Sequence, residues 1–161
     1  MDKHLSSTGK PSGTVEEAAV RSTLVALLQA TARKEAAAVL ALYGARPVRF
    51  DLAPPLQQSP DRSRHRAELE AWFATWDGPL ELKLGEHETL VDGDLALVHG
   101  LLWLAGTKHG GQRAGLWLRT TWGLQRRAGA WTVVHEHQSV PFAMDGSYRA
   151  LVDLAPTAAE I

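Results

Sequence analysis

The hydrophobic pattern changes period once along the chain, and no other feature constrains the fold as much. Before Asp77-Gly78-Pro79 the apolar residues recur at helical spacing; after it they alternate. A period near 3.6 marks helices with one buried face, and a period of 2 marks strands. Four alternating runs follow, at about 80–91, 94–106, 113–127 and 130–140. They are joined by Asp92-Gly93, by Thr107 to Gln112 with Gly110-Gly111, and by Ala128-Gly129. Asp-Gly is a favoured hairpin pair, and connections this short make neighbouring strands antiparallel. The second half is therefore predicted to be a meander.

The first half reads as helices and one short strand. Thr14-Val15-Glu16-Glu17 is a capping box, with Thr at the N-cap and Glu three residues on. Val20, Leu24, Leu27 and Leu28 predict a helix over 14–30, and Val39, Leu40 and Leu42 a second over 33–43. Gly44 is expected to stop it, with Pro47 shortly after. Val48 to Leu52 alternates as a strand, and Pro54-Pro55 ends it. After a loop over 53–63, Leu69, Trp72, Phe73 and Trp76 form the stripe of a third helix, about 64–77. The expected class is α+β, a cone-like curved antiparallel sheet covered by three N-terminal helices, with a pocket inside the cone. The cone domain spans 14–142, between a disordered leader (1–13) and a C-terminal tail (143–161).

Composition removes several functions. The 161 residues suit one domain, and 45% apolar with 22% charged residues excludes wholesale disorder. Seventeen Lys and Arg against 18 Asp and Glu leave a net charge of −1, which argues against a nucleic-acid partner. The longest apolar runs fall short of the ~18 residues a membrane span needs, so no membrane partner is expected. The absence of Cys removes disulfides, thiolate catalysis and zinc–thiolate sites. No signal-type apolar segment opens the chain, so a cytoplasmic location is expected. Six Trp and seven His stand out against two Tyr and three Phe.

Several of these gather on the last hairpin. If Arg127 pairs with Trp131, paired positions sum to 258, and Thr121 faces His137, Arg119 faces Ser139 and Gly123 faces His135. One sheet face then carries Trp117, Arg119, Thr121, Trp131, Val133, His135, His137 and Ser139. The other carries Leu116, Leu118, Thr120, Trp122, Leu124, Thr132, Val134, Glu136 and Gln138. The first face, with a cation, imidazoles and hydroxyls beside aromatic walls, is expected to line the pocket. His99 either joins it from the next strand or lies among Leu97, Leu101 and Trp103 as a partly buried histidine. Trp72 and Trp76 are expected to roof the cone, and Trp122 to reach a dimer interface. A guanidinium inside the cone needs a carboxylate, and Asp51 is the expected partner of Arg119. The basic run Arg62 to Arg66 is read as a solvated helix start or an anion-binding rim.

The segment Gly129-Ala-Trp-Thr-Val-Val-His-Glu-His-Gln-Ser-Val-Pro141 resembles the closing strand of SnoaL-like proteins, in the ketosteroid isomerase-related branch of the nuclear transport factor two superfamily. Arg119-Thr120-Thr121 is similar to the R-x-T element of the preceding strand. Phe50-Asp51, Pro54-Pro55-Leu56 and Asp94 to Val98 resemble the first strand, its loop and a central strand. The resemblance implies an α+β cone, a homodimer with packed sheets, and members that act as cyclases, isomerases or dehydratases. It also implies a general base at Asp51, eight residues after Tyr43.

The expected function is binding of a small, largely apolar molecule, with acid–base chemistry of the isomerase, cyclase or dehydratase type. Asp51, His135 and His137 are the candidate catalytic residues. Trp72, Trp76, His99, Trp117, Arg119, Thr121 and Ser139 are the candidate substrate-binding residues. No metal and no cofactor is assigned. The alternatives are a non-catalytic ligand-binding or dimerisation module, and a carbonic anhydrase-like lyase using the His135-x-His137-x-Ser139 strand.

Overall fold

A computed structural model describes residues 14–157, so the leader over 1–13 and the last residues of the tail lie outside the described residues. Thr14 caps the first helix as expected. Its hydroxyl accepts from the Glu17 amide, and the Glu17 carboxylate accepts from the Thr14 amide. Helix α1 runs Val15–Ala32 and buries Val20, Leu24, Leu27 and Ala30. Each buried Leu of this kind contributes about 1.5–3 kcal/mol. A short α2, Ala36–Ala41, leads directly into strand β1, Tyr43–Phe50. Gly44 lies inside that strand and is not a helix stop.

Helix α3 covers Arg62–Phe73 and starts at Asp61, whose carboxylate accepts from the Arg64 amide. The meander is β2 Trp76–Asp92, β3 Leu95–Lys108, β4 Arg113–Arg127 and β5 Ala130–Ser139. Asp77-Gly78-Pro79 therefore sits within β2, where the pairing with β3 slips between Asp77 and Glu81. Gly78 takes a positive φ of 67° there.

The five strands form one sheet in the order β1-β5-β4-β3-β2. The expected meander is correct, but the sheet is mixed, because β1 runs parallel to β5, pairing Val48 with His135 and Phe50 with His137. Helix α3 and three strands separate the two in sequence, long enough for the crossover that a parallel pair needs.

The helices cover one face of this sheet, and there the core lies: Val98, Leu102 and Leu104 of β3, Leu118, Trp122 and Leu124 of β4, and Trp131 and Val133 of β5. Two bulges curve the sheet around it. In β2 the extra residue falls between Leu84 and His87, and in β5 Val134 is skipped between the pairs Gly123–His135 and Leu124–Val133. No helix among the described residues is long and apolar enough to cross a membrane.

Gly100 sits under the β2 bulge, where a Cβ would come within 2.5 Å of the Glu86 carbonyl oxygen and 2.8 Å of the His87 Cβ. Those contacts are with backbone and a Cβ that cannot rotate away. Gly100→Ala is expected to cost about 1–3 kcal/mol, read from the midpoint of denaturant unfolding.

Candidate functional site

Between the helices and the inner face of the sheet lies a cavity of about 480 Å³. Leu27 and Leu28 of α1, Leu69 and Trp72 of α3, and Leu82, Leu102, Leu104 and Leu118 of the sheet give it apolar walls. The segment Leu52–Pro55 with Gln58 borders it. Gln58 is held there by its own amide donating to the Arg49 carbonyl and by its side chain donating to the Ala53 carbonyl. One side of this apolar space is polar, and it is built from β1, α3 and β5.

Two clusters make up that polar side. In the first, the buried guanidinium of Arg49 donates through one nitrogen to Glu68 at 3.0 Å and through another to Asp51 at 3.3 Å. Arg64 at the cavity edge holds the second oxygen of Glu68, also at 3.0 Å. In the second, Glu136 of β5 accepts from the Tyr43 hydroxyl at 2.5 Å and from Trp122 Nε1 and Gln138 Nε2, each at 3.0 Å. His65 of α3 completes the wall, its ring edge-on to Tyr43 with centroids 5.0 Å apart.

Burial sets the electrostatics. It raises the Asp51 carboxyl from its ordinary value, against the pull of Arg49 and with help from Glu68. Glu136 is raised chiefly by burial, against its hydrogen bonds from Tyr43 and Trp122. Burial and the neighbouring Glu136 push the Tyr43 hydroxyl well above its usual value. His65 is pushed down to about 4, first by burial and then by Arg49. Near neutral pH the cavity thus holds a neutral imidazole, a partly exposed carboxyl and a buried one.

The SnoaL-like domain family matches residues 20–143. The chain belongs to this family. An NTF2-like protein of unknown function from Pseudomonas putida is 30% identical, with 89% of this chain and 99% of that one covered and a TM-score of 0.77. A putative dehydratase of the NTF2-like family from Streptomyces avermitilis is 17% identical over 78% of this chain and 97% of that one, with a TM-score of 0.70. A ketosteroid isomerase-like protein from Erwinia carotovora atroseptica is 20% identical over 79% and 97%, with a TM-score of 0.66. These last two share the fold. No curated protein matches the sequence.

In this SnoaL-like chain two of the predicted site residues, Asp51 and Trp72, line the cavity. The pairings Arg119–Ser139, Thr121–His137 and Gly123–His135 are as expected, and His99 pairs with Thr121, so it joins the same face. That face, however, points away from the helices. His137 and Arg119 are exposed, and His135, Thr121, Ser139, His99 and Trp117 are half-buried. Phe50 touches both His135 and His137 edge-on, Trp117 packs on Trp103, and His99 stands 3.6 Å from Glu88. The expectation that these seven residues line the pocket is therefore corrected.

The reason lies in the pleat and the bulge. Alternation sorts residues into two faces without saying which one is covered. The helices bury the more apolar set, and the skipped Val134 puts Trp131 and Val133 in the same core as Glu136. The turn accordingly pairs Arg126 with Trp131 and Arg127 with Ala130.

Three further expectations change. Trp76 opens β2 and is buried with Lys108 over its ring; it does not line the cavity. Trp122 is 1% exposed in the core and so cannot reach a dimer interface. The cation that meets Asp51 is Arg49, not Arg119. Within the basic run, His65 is 3% exposed and belongs to the cavity wall, while Arg64 and Arg66 bond to Glu68 and Glu70.

Sequence reasoning missed Tyr43, Arg49, His65, Glu68 and Glu136. One signal was present: Glu136 is the single charged residue on the face that carries Leu116, Leu118, Trp122 and Leu124.

The depressed titration of His65 makes stability depend on pH. The unfolded chain takes up its proton near pH 6.5 and the folded chain only near 4. This contribution is fully present above about pH 6.5 and is lost as pH falls toward 4, by about 3 kcal/mol at most. Unfolding midpoints at pH 4.5 and 7.5 are expected to differ less in His65→Leu than in the unaltered chain.

Proposed function

We propose that the chain binds a small, largely apolar molecule with an oxygen-bearing end and moves a proton on it, as isomerases, cyclases and dehydratases do. The observation that carries this reading is an apolar-walled cavity whose carboxyls lie in different environments: Asp51 and Glu68 partly exposed around Arg49, and Glu136 buried against Tyr43. Two carboxyls whose surroundings differ can divide the roles of base and acid. Asp51 takes a proton from a carbon beside a carbonyl. The Arg49 cation and the protonated form of Glu136, which burial favours, meet the negative charge that develops on the oxygen. The proton then returns to a different carbon, or a leaving group departs. The family match is consistent with this, as is the fold shared with proteins described as a dehydratase and as ketosteroid isomerase-like. His135 and His137 take no part, since both lie on the face turned away from the cavity.

The Arg49–Asp51 contact favours a second reading, a binding module in which Asp51 only neutralises a buried cation. Hydrogen–deuterium exchange at the carbon next to the carbonyl of 2-tetralone and 2-cyclohexenone, followed by NMR, separates the two. Asp51→Asn is expected to slow protein-catalysed exchange by about 10²–10⁴-fold while leaving the fold intact. Equal exchange in both proteins would remove Asp51 as the base.

We also propose that the chain acts as a homodimer through the outer sheet face. Half-buried Trp103 and Trp117 and exposed Leu97 on that face support this reading. Sedimentation equilibrium at micromolar concentration is expected to give twice the chain mass; a monomer would overturn the proposal.

A further inference from the structure

Arg49 is the one fully buried guanidinium in the cavity wall, and two carboxylates share it. The sharing is uneven. Its contact with Glu68 is 3.0 Å and its contact with Asp51 is 3.3 Å. Glu68 is also not free to move, because Arg64, one helical turn earlier, holds its other oxygen. Asp51 has no such brace: it lies just beyond the last residue of β1, at the start of the bordering segment. A guanidinium binds a carboxylate most strongly when two adjacent nitrogens engage it together. Here one of them is committed to Glu68.

We propose that Glu68 is a positioning residue for Asp51: by holding one nitrogen of Arg49, it keeps the guanidinium from closing on the Asp51 carboxylate and leaves that carboxylate able to accept a proton. The inference rests on Asp51 being the proton-transfer base proposed above, but its first test does not require catalysis.

The charged and titratable groups around Asp51 come from each element packed near it. Arg49 and Tyr43 face it from β1, Arg64, His65 and Glu68 from α3, and Glu136 from β5. Two effects of Glu68 on Asp51 must therefore be separated: its charge, which favours protonation, and its hold on Arg49. Glu68→Gln removes the charge but keeps an oxygen that can accept from Arg49. Glu68→Ala removes both. Glu68→Asp keeps the charge on a side chain one methylene too short to hold the guanidinium in place.

The experiment is a titration of the Asp51 carboxyl carbon by ¹³C NMR in the full chain. The proton affinity of Asp51 is expected to fall about tenfold or more in Glu68→Ala, because the freed guanidinium closes on the carboxylate. It is expected to fall by less in Glu68→Gln. Equal falls in the two variants would reduce Glu68 to a distant charge, and no fall in either would remove it altogether; both results overturn the proposal. Where the alanine variant does not fold, Glu68→Asp decides: a fall at unchanged charge supports positioning, and an unchanged titration overturns it. If Asp51 responds as expected while Asp51→Asn leaves carbon-acid exchange untouched, the positioning stands and the catalytic reading falls.

Discussion

A carboxyl group in the middle of an apolar sheet face is the constraint around which the rest of this molecule is arranged. Moving an unpaired carboxylate out of water costs several kcal/mol even after relaxation, so Glu136 persists only where donors converge on it. Three do: Tyr43 from the start of β1, Trp122 from β4 and Gln138 from β5 itself. Meeting that requirement ties the first strand to the end of the meander. It also helps explain why β1 pairs in parallel beside β5 and not at the opposite edge beside β2.

The same requirement places polarity in the cavity. Leucines and Trp72 supply walls that bind without direction, and the second cluster of Arg49, Asp51 and Glu68 lies along the same wall as Glu136. Burial acts on both clusters but unequally, since Asp51 keeps contact with solvent and Glu136 does not. One solvent-touched carboxyl and one buried carboxyl in a shared apolar space is an arrangement suited to moving protons. His65, held neutral between α3 and Tyr43, adds a polar surface to this wall without adding charge near neutral pH.

The outer face of the sheet shows how much local pattern can establish and where it stops. The cross-strand partners of Arg119, Thr121 and Gly123 follow from turn position and alternation, and so does the gathering of His99, His135 and His137 on one side. Imidazoles and hydroxyls gathered in this way suit a binding site, and the local pattern alone favours that face as the pocket lining. Yet a sheet's buried face is chosen by apolar area, and Leu118, Trp122, Leu102 and Val98 outweigh a row broken by Arg119 and Thr121. Trp72 was legible as a cavity residue because a helical stripe fixes it locally, and Asp51 because the family resemblance implies a base at that position. Arg49, Glu68 and Glu136 were not, because their meaning comes from partners 19 and 93 positions away.

The sequence by itself determined the elements and their order: a capped helix, a second helix, a short strand about Val48, a third helix, and a four-strand meander. Each depends on spacing, capping or turn chemistry within a few residues. It also carried the family, through the closing strand. Only the tertiary structure decided which face the helices cover, that β1 joins β5 in parallel, and that a skipped residue at Val134 puts Trp131, Val133 and Glu136 in one core. Those outcomes come from burying the larger apolar surface while giving each buried charge its partners. That balance is struck across the whole domain and cannot be read within any one segment.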